Sequence, residues 1–231
     1  MQQQNRRINI IIFLLVTFII VAGNNTTAKA VDSYISGDYE YQLDTFYGEN
    51  GKTTYASINK YTGLSEIVAV PETIAGYPVW KLENTFAYNQ TVSKVIIPSN
   101  VKYLNATFTH CDNLKSVVLP STITDYYFAF QSCKRLTEIE IPGGTYSMFR
   151  AFEDCTSLKS VKINGLIVAE EPRDSSIGTC GIFYGCSSLE TVSIKGIVGD
   201  RNIGDTFYGC DNLKSIEIQE SVSNIRKLFN K

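Results

Sequence analysis

The chain has 231 residues, 44% of them hydrophobic and 19% charged, the balance of a folded protein with a sizeable core rather than a disordered one. Arg6, Arg7 and Lys29 are the only charges in the first thirty residues, so the remainder carries 18 basic and 23 acidic side chains, a net charge of −5. A mildly acidic chain has no electrostatic reason to bind nucleic acid or an anionic membrane.

Met1 to Arg7 is polar with two arginines, Ile8 to Ala22 is apolar apart from Asn9 and Thr17, and a polar stretch ends in Ala28, Lys29 and Ala30. That order is a secretory signal peptide over residues 1–30, with cleavage after Ala30. The competing reading is a retained anchor, but an apolar run of 15 residues is short beside the roughly 20 a membrane span needs. Either way the body of the chain is exported, and a membrane is met only through an uncleaved leader.

Residues 31–63 form a separate N-terminal unit. Tyr39, Tyr41 and Leu43 alternate with polar residues, as Tyr55 to Tyr61 do more loosely, with Gly48 to Gly51 between them. The pattern predicts a β-hairpin that covers the open end of a larger core and pairs its first strand. Gly51, Lys52 and Thr53 do not make a phosphate loop, because the glycine required five residues earlier is Phe46.

From residue 64 to 231 one phrase recurs, F-x-x-C-x-x-L-x-x-V/I-x-I/L-P, most clearly at Phe130, Cys133, Leu136, Ile139, Ile141 and Pro142. It starts at Phe86, Phe108, Phe130, Phe152, Phe183 and Phe207, with a seventh Phe229 near the end, at spacings of 22, 22, 22, 31, 24 and 22 residues. A period in the twenties predicts a solenoid whose coils stack into one core. Within each coil two apolar residues two apart, such as Val117 and Leu119, face inward from a short strand. Proline then ends the strand at 98, 120 and 142. Equivalent strands should form a parallel sheet at about 4.8 Å spacing, placing phenylalanine over phenylalanine.

The unit, opened by Tyr61, Thr62 and Gly63, then Val70-Pro71 and Ile74 to Val79, resembles the BspA-like class of leucine-rich repeats over residues 55–229. The resemblance implies a right-handed repeat coil of α/β type, mostly β, with a parallel sheet on one side. It also implies a secreted or surface-displayed bacterial protein that adheres to an extracellular protein or glycan on a host or neighbouring cell. Asn164, Lys195 and Gln219 replace the proline in later repeats. Residues 220–231 begin another coil without a polar cap, which reads as a fragment or a partner-covered end, and leaves the alternative of a repeat domain that positions a further, catalytic domain.

Cys111, Cys133, Cys155, Cys186 and Cys210 share one template position, where the first coil has Asn89. Stacked equivalents would lie near the strand spacing, beyond the roughly 3.5–4.5 Å between Cβ atoms that a disulfide takes, so they read as a column of small buried thiols. Their linear arrangement also does not converge on a metal. Cys180, off the template, leaves open a local bridge to Cys186. His110, the only histidine, sits beside Cys111 on the opposite side of an extended stretch and reads as a surface residue rather than half of a catalytic pair. No G-x-S-x-G or HExxH motif occurs. No cofactor is expected, and the chain reads as a non-enzyme.

Three surfaces are binding candidates. The outward strand column runs Ile96, Val118, Glu140, Lys162, Ser193 and Glu217, with Glu140 and Lys162 predicted to pair. Tyr127 and Phe149, with Phe128 and Tyr146 nearby, form an aromatic patch if exposed. The excess residues between Asn164 and Phe183 leave the coil as a polar loop.

Overall fold

The computed structural model describes residues 32–48, 51–145, 147–165, 181–195 and 205–219. The leader, Cys180, Tyr146, most of the 165–182 excess and the final segment with Phe229 lie outside them.

The chain opens with β1 (Tyr34–Ser36), β2 (Tyr39–Gly48) and β3 (Gly51–Tyr61), an antiparallel unit in which Gly48 pairs with Gly51. The solenoid follows, and its described part is built from short strands and turns without a helix. One side carries β4 (Ile67–Ala69), β7 (Lys94–Ile96) and β9 (Ser116–Val118) as a parallel sheet, then β10 (Glu138–Ile141), β11 (Ser160–Asn164), β12 (Thr191–Lys195) and β13 (Ser215–Gln219) as a second. Register follows the repeat: Ile139, Val161, Val192 and Ile216 stand opposite one another.

A second ladder runs along another side. It joins β6 (Tyr77–Glu83), itself paired with the short β5 (Thr73–Ile74), to β8 (Tyr103–Asn105), and continues as single bridges through Asp125 and Ser147. The hairpin docks here, β3 pairing parallel with β6. It pairs the first strand of this second ladder rather than β4 on the principal side. The reason is visible in the packing: Ala56 and Ile58 of β3 are buried in register with Val79 and Leu82 of β6.

Inside, the phenylalanines form a continuous stack. Phe86, Phe108, Phe130, Phe152, Phe183 and Phe207 follow at centroid distances of 5.4, 5.2, 5.2, 5.6 and 5.5 Å, with ring planes within 15° of parallel. The chain bends sharply on either side of each ring. Two residues before each stands a left-handed residue (Asn84, Ala106, Phe128, Arg150, Gly181, Asp205), and two after stands another (Tyr88, His110, Ser132, Asp154, Gly185, Gly209). Only the later coils use glycine, although the left-handed region costs other residues roughly 1–2 kcal/mol each.

The five template cysteines are free thiols. Each donates to the carbonyl of the phenylalanine one coil earlier: Cys111 to Phe86, Cys133 to Phe108, Cys155 to Phe130, Cys186 to Phe152 and Cys210 to Phe183, at 2.7–3.1 Å. In the first coil Asn89 caps its own turn instead, its Oδ1 accepting from the Thr91 and Val92 amides.

Candidate functional site

Strand register brings the outward residues into columns. Ala69, Ile96 and Val118 stand side by side on the first sheet, and Glu140, Lys162, Ser193 and Glu217 on the second. A neighbouring row runs Ile67, Lys94, Ser116 and then Glu138, Ser160, Thr191, Ser215. The first half is apolar in character, with Ile67 64%, Ile96 39% and Val118 50% exposed. The second is polar. Lys162 Nζ lies 3.1 Å and Asn164 Nδ2 2.5 Å from Glu140 Oε1, and these two donors hold the Glu140 carboxyl below its ordinary pKa.

Between these halves the ladder is interrupted. At the strand entry of the other junctions two amides donate to one carbonyl of the preceding coil. Thus Ser93 and Lys94 bond Glu66, Lys115 and Ser116 bond Ser93, Lys159 and Ser160 bond Thr137, Glu190 and Thr191 bond Lys159, and Lys214 and Ser215 bond Glu190. The corresponding bonds from Thr137 and Glu138 to the Lys115 carbonyl are absent, and β9 and β10 share no register. The other sides of the same two coils stay joined, as by Phe108 to Ala129 and Leu104 to Asp125. The strand side therefore gapes locally. Val117 and Leu119, which should be core, are only partly buried, whereas Val95 and Ile141 at the same positions are fully buried. The resulting cleft of ≈ 410 Å³ is lined by Lys115, Ser116, Thr137, Glu138, Ser160 and Lys162, among others. A second, of ≈ 400 Å³, adjoins it through Lys115 and Thr137 and adds Arg135 and Ser157. Repeat reasoning could not find this site, because nothing in residues 115–119 or 137–141 departs from the template.

The aromatic patch is corrected by burial. Phe149 is 1% exposed, stacked 5.5 Å from Tyr127 and packed edge-on against Phe128. It fills a corner of the core and offers no surface to a partner, while Tyr127 is half-buried. A different aromatic cluster lies where the hairpin meets the second ladder: Phe46, Tyr55 and Tyr103 surround Trp80 at 4.6, 5.5 and 4.9 Å. The Trp80 Nε1 donates to Asp44 Oδ2 at 3.1 Å and to Ser57 Oγ at 3.0 Å, so this cluster clamps the hairpin.

Four of the template thiols are poor nucleophiles. Loss of hydration on burial pushes Cys111 and Cys210 up to about 12, and raises Cys133 and Cys186 well above their ordinary value. His110 stacks on Tyr88 at 4.9 Å, away from the Cys111 thiol, which is bonded to Phe86. Among the described residues no group of three His, Cys, Asp or Glu side chains is placed to hold a metal.

Six copies of the BspA type leucine-rich repeat region match residues 82–171 and 172–230. The chain belongs to that family. The T. pallidum leucine-rich repeat protein TpLRR is similar in fold, at 21% identity, 78% of this chain, 80% of that one and a TM-score of 0.52. A leucine-rich repeat protein from Bacteroides capillosus aligns at 24% identity over 58% of this chain and 99% of its own, TM-score 0.46. The pneumococcal vaccine antigen PcpA aligns at 15% over 77% and 48%, TM-score 0.46. Among curated proteins none matches.

Proposed function

We propose that this BspA-type repeat protein is an exported interaction module, secreted or held at the cell surface, which binds an extracellular protein or glycan on a host or neighbouring cell. The observation that carries the reading is the outward face of the strand side. Register fixes its side chains on a stacked core, and its apolar half at Ile67, Ile96 and Val118 adjoins a charged half at Glu138, Glu140 and Lys162. Solenoids bind through extended faces of this kind, and apolar side chains left exposed on a sheet are candidate contact points. The charged leader of residues 1–30 supports export.

Binding, rather than hydrolysis, fits the acids present. A general acid needs a raised pKa, whereas Lys162 and Asn164 favour the ionised form of Glu140. The test is an array of glycans and extracellular proteins probed with the exported chain. Binding that Val118→Asp abolishes supports the proposal. Uniform absence of binding, or polysaccharide hydrolysis lost in Glu140→Gln, overturns it.

A further inference from the structure

The interruption between β9 and β10 has a chemistry of its own. It leaves three backbone groups facing the cleft without a protein partner: the amides of Thr137 and Glu138 and the carbonyl of Lys115. Lys115, Thr137 and Glu138 are exposed, so these groups are open to a ligand from solvent, whereas the corresponding groups at the other strand junctions are taken up by the ladder. The adjoining cleft is lined by Lys115 and Arg135, neither of which is in an ion pair among the described residues, and by Thr137 and Ser157. Two unpaired amides beside two unpaired cations are an anion site, since backbone N–H groups and a guanidinium both match carboxylate oxygens. It is a local exception on a net-acidic chain.

The larger cleft is mixed in charge and rich in hydroxyls. Beside Lys115 and Thr137 the ≈ 410 Å³ cleft is lined by Glu138, the Glu140–Lys162 ion pair, Ser116 and Ser160. Those groups accept from, and donate to, hydroxyls. A polyanion of uniform charge would meet Glu138 unfavourably, whereas a ligand with a carboxylate at one end and hydroxyls at the other satisfies both. The cleft volume of ≈ 410 Å³ lies within the range of about 300–1,000 Å³ typical of small-ligand sites.

We infer that the interrupted ladder between Lys115 and Thr137–Glu138 is a binding site for a carboxylate-bearing sugar unit of an acidic polysaccharide. The sugar carboxylate lies against the Thr137 and Glu138 amides between Lys115 and Arg135. The ring hydroxyls reach Glu138, Ser116 and Ser160. The inference rests on the interaction-module reading and names a glycan class for it.

Isothermal titration of the exported chain with galacturonate oligomers, their uncharged methyl esters, a neutral glucan oligomer and a sulfated glycan tests it. The expected result is binding of the uronate oligomers, weakened by at least ten-fold on esterification and by added salt. Lys115→Ala combined with Arg135→Ala should lose at least ten-fold, with an unchanged unfolding transition. Hydrogen exchange at the Thr137 and Glu138 amides should slow when the uronate is bound. Equal binding of ester or neutral glucan, equal binding of the sulfated glycan, or an unaffected double variant overturns the inference. If other array ligands bind and uronates do not, the sugar assignment falls while the interaction-module reading stands.

Discussion

The Cys133 thiol lies 3.1 Å from the carbonyl oxygen of Phe108, one coil away. The same bond recurs down the column, so each cysteine joins successive turns at the point where the ring stack passes. Its removal should be felt as lost packing together with the loss of one of two bonds to a carbonyl that still accepts from the Cys111 amide. Cys133→Ala is expected to cost about 1–2 kcal/mol. Denaturant unfolding measures this, and an unchanged midpoint would show the thiol bond to be dispensable.

Burial of the thiols makes stability depend on alkaline pH. In the unfolded chain a cysteine ionises near its ordinary value of 9.0, while folded Cys111 holds its proton up to about 12. Between those values the unfolded state binds fewer protons, so stability falls as pH rises. It is fully present below pH 9. Urea midpoints from pH 8 to pH 11 should decline, and less steeply in Cys111→Ala. Parallel slopes for the two proteins would contradict the assignment.

The stacked rings predict a gradient of cost. Phe130 is fully buried between Phe108 and Phe152, both 5.2 Å away. Phe130→Ala should cost about 3–5 kcal/mol. Phe207 is only partly buried, and its truncation should cost less by equilibrium unfolding. Equal losses would be incompatible with a core that thins toward the last described coils.

Backbone strain gives a stabilising substitution. Ala106 has φ 47°, a region glycine enters freely. Ala106→Gly is expected to raise stability by about 0.5–1 kcal/mol, read as a shift in the urea midpoint. At Gly185, also left-handed, a Cβ would run into the Asp154 carboxylate, so Gly185→Ala should destabilise.

The sequence reveals one side of the coil and hides the others. Phe86 to Phe207 and the paired apolar residues of β10 to β13 recur in one repeated phrase, so both columns and the outward Glu140–Lys162 pair could be read directly. The second ladder could not, because Asp125 and Ser147 enter it only through isolated bridges and carry no strand periodicity. The left-handed pairs were equally silent, since Asn84, Tyr88, Ala106 and His110 give no glycine signal at positions that have φ of 47–61°. Phe149 was misplaced because aromatic identity does not say which way a turn residue points; only the close packing of Tyr127 and Phe128 decides that. The break between β9 and β10 appears solely in the hydrogen bonds.

The most direct test of the interaction-module account is the binding of the exported chain to its strongest array ligand, compared with Val118→Asp and with Tyr47→Asp. Val118 stands on the outward strand column, whereas Tyr47, 80% exposed, belongs to β2 of the hairpin, which pairs only with β1 and β3 among the described strands. The account predicts that Val118→Asp loses at least ten-fold in affinity while Tyr47→Asp binds as the parent does. Equal affinity for all three proteins would contradict it.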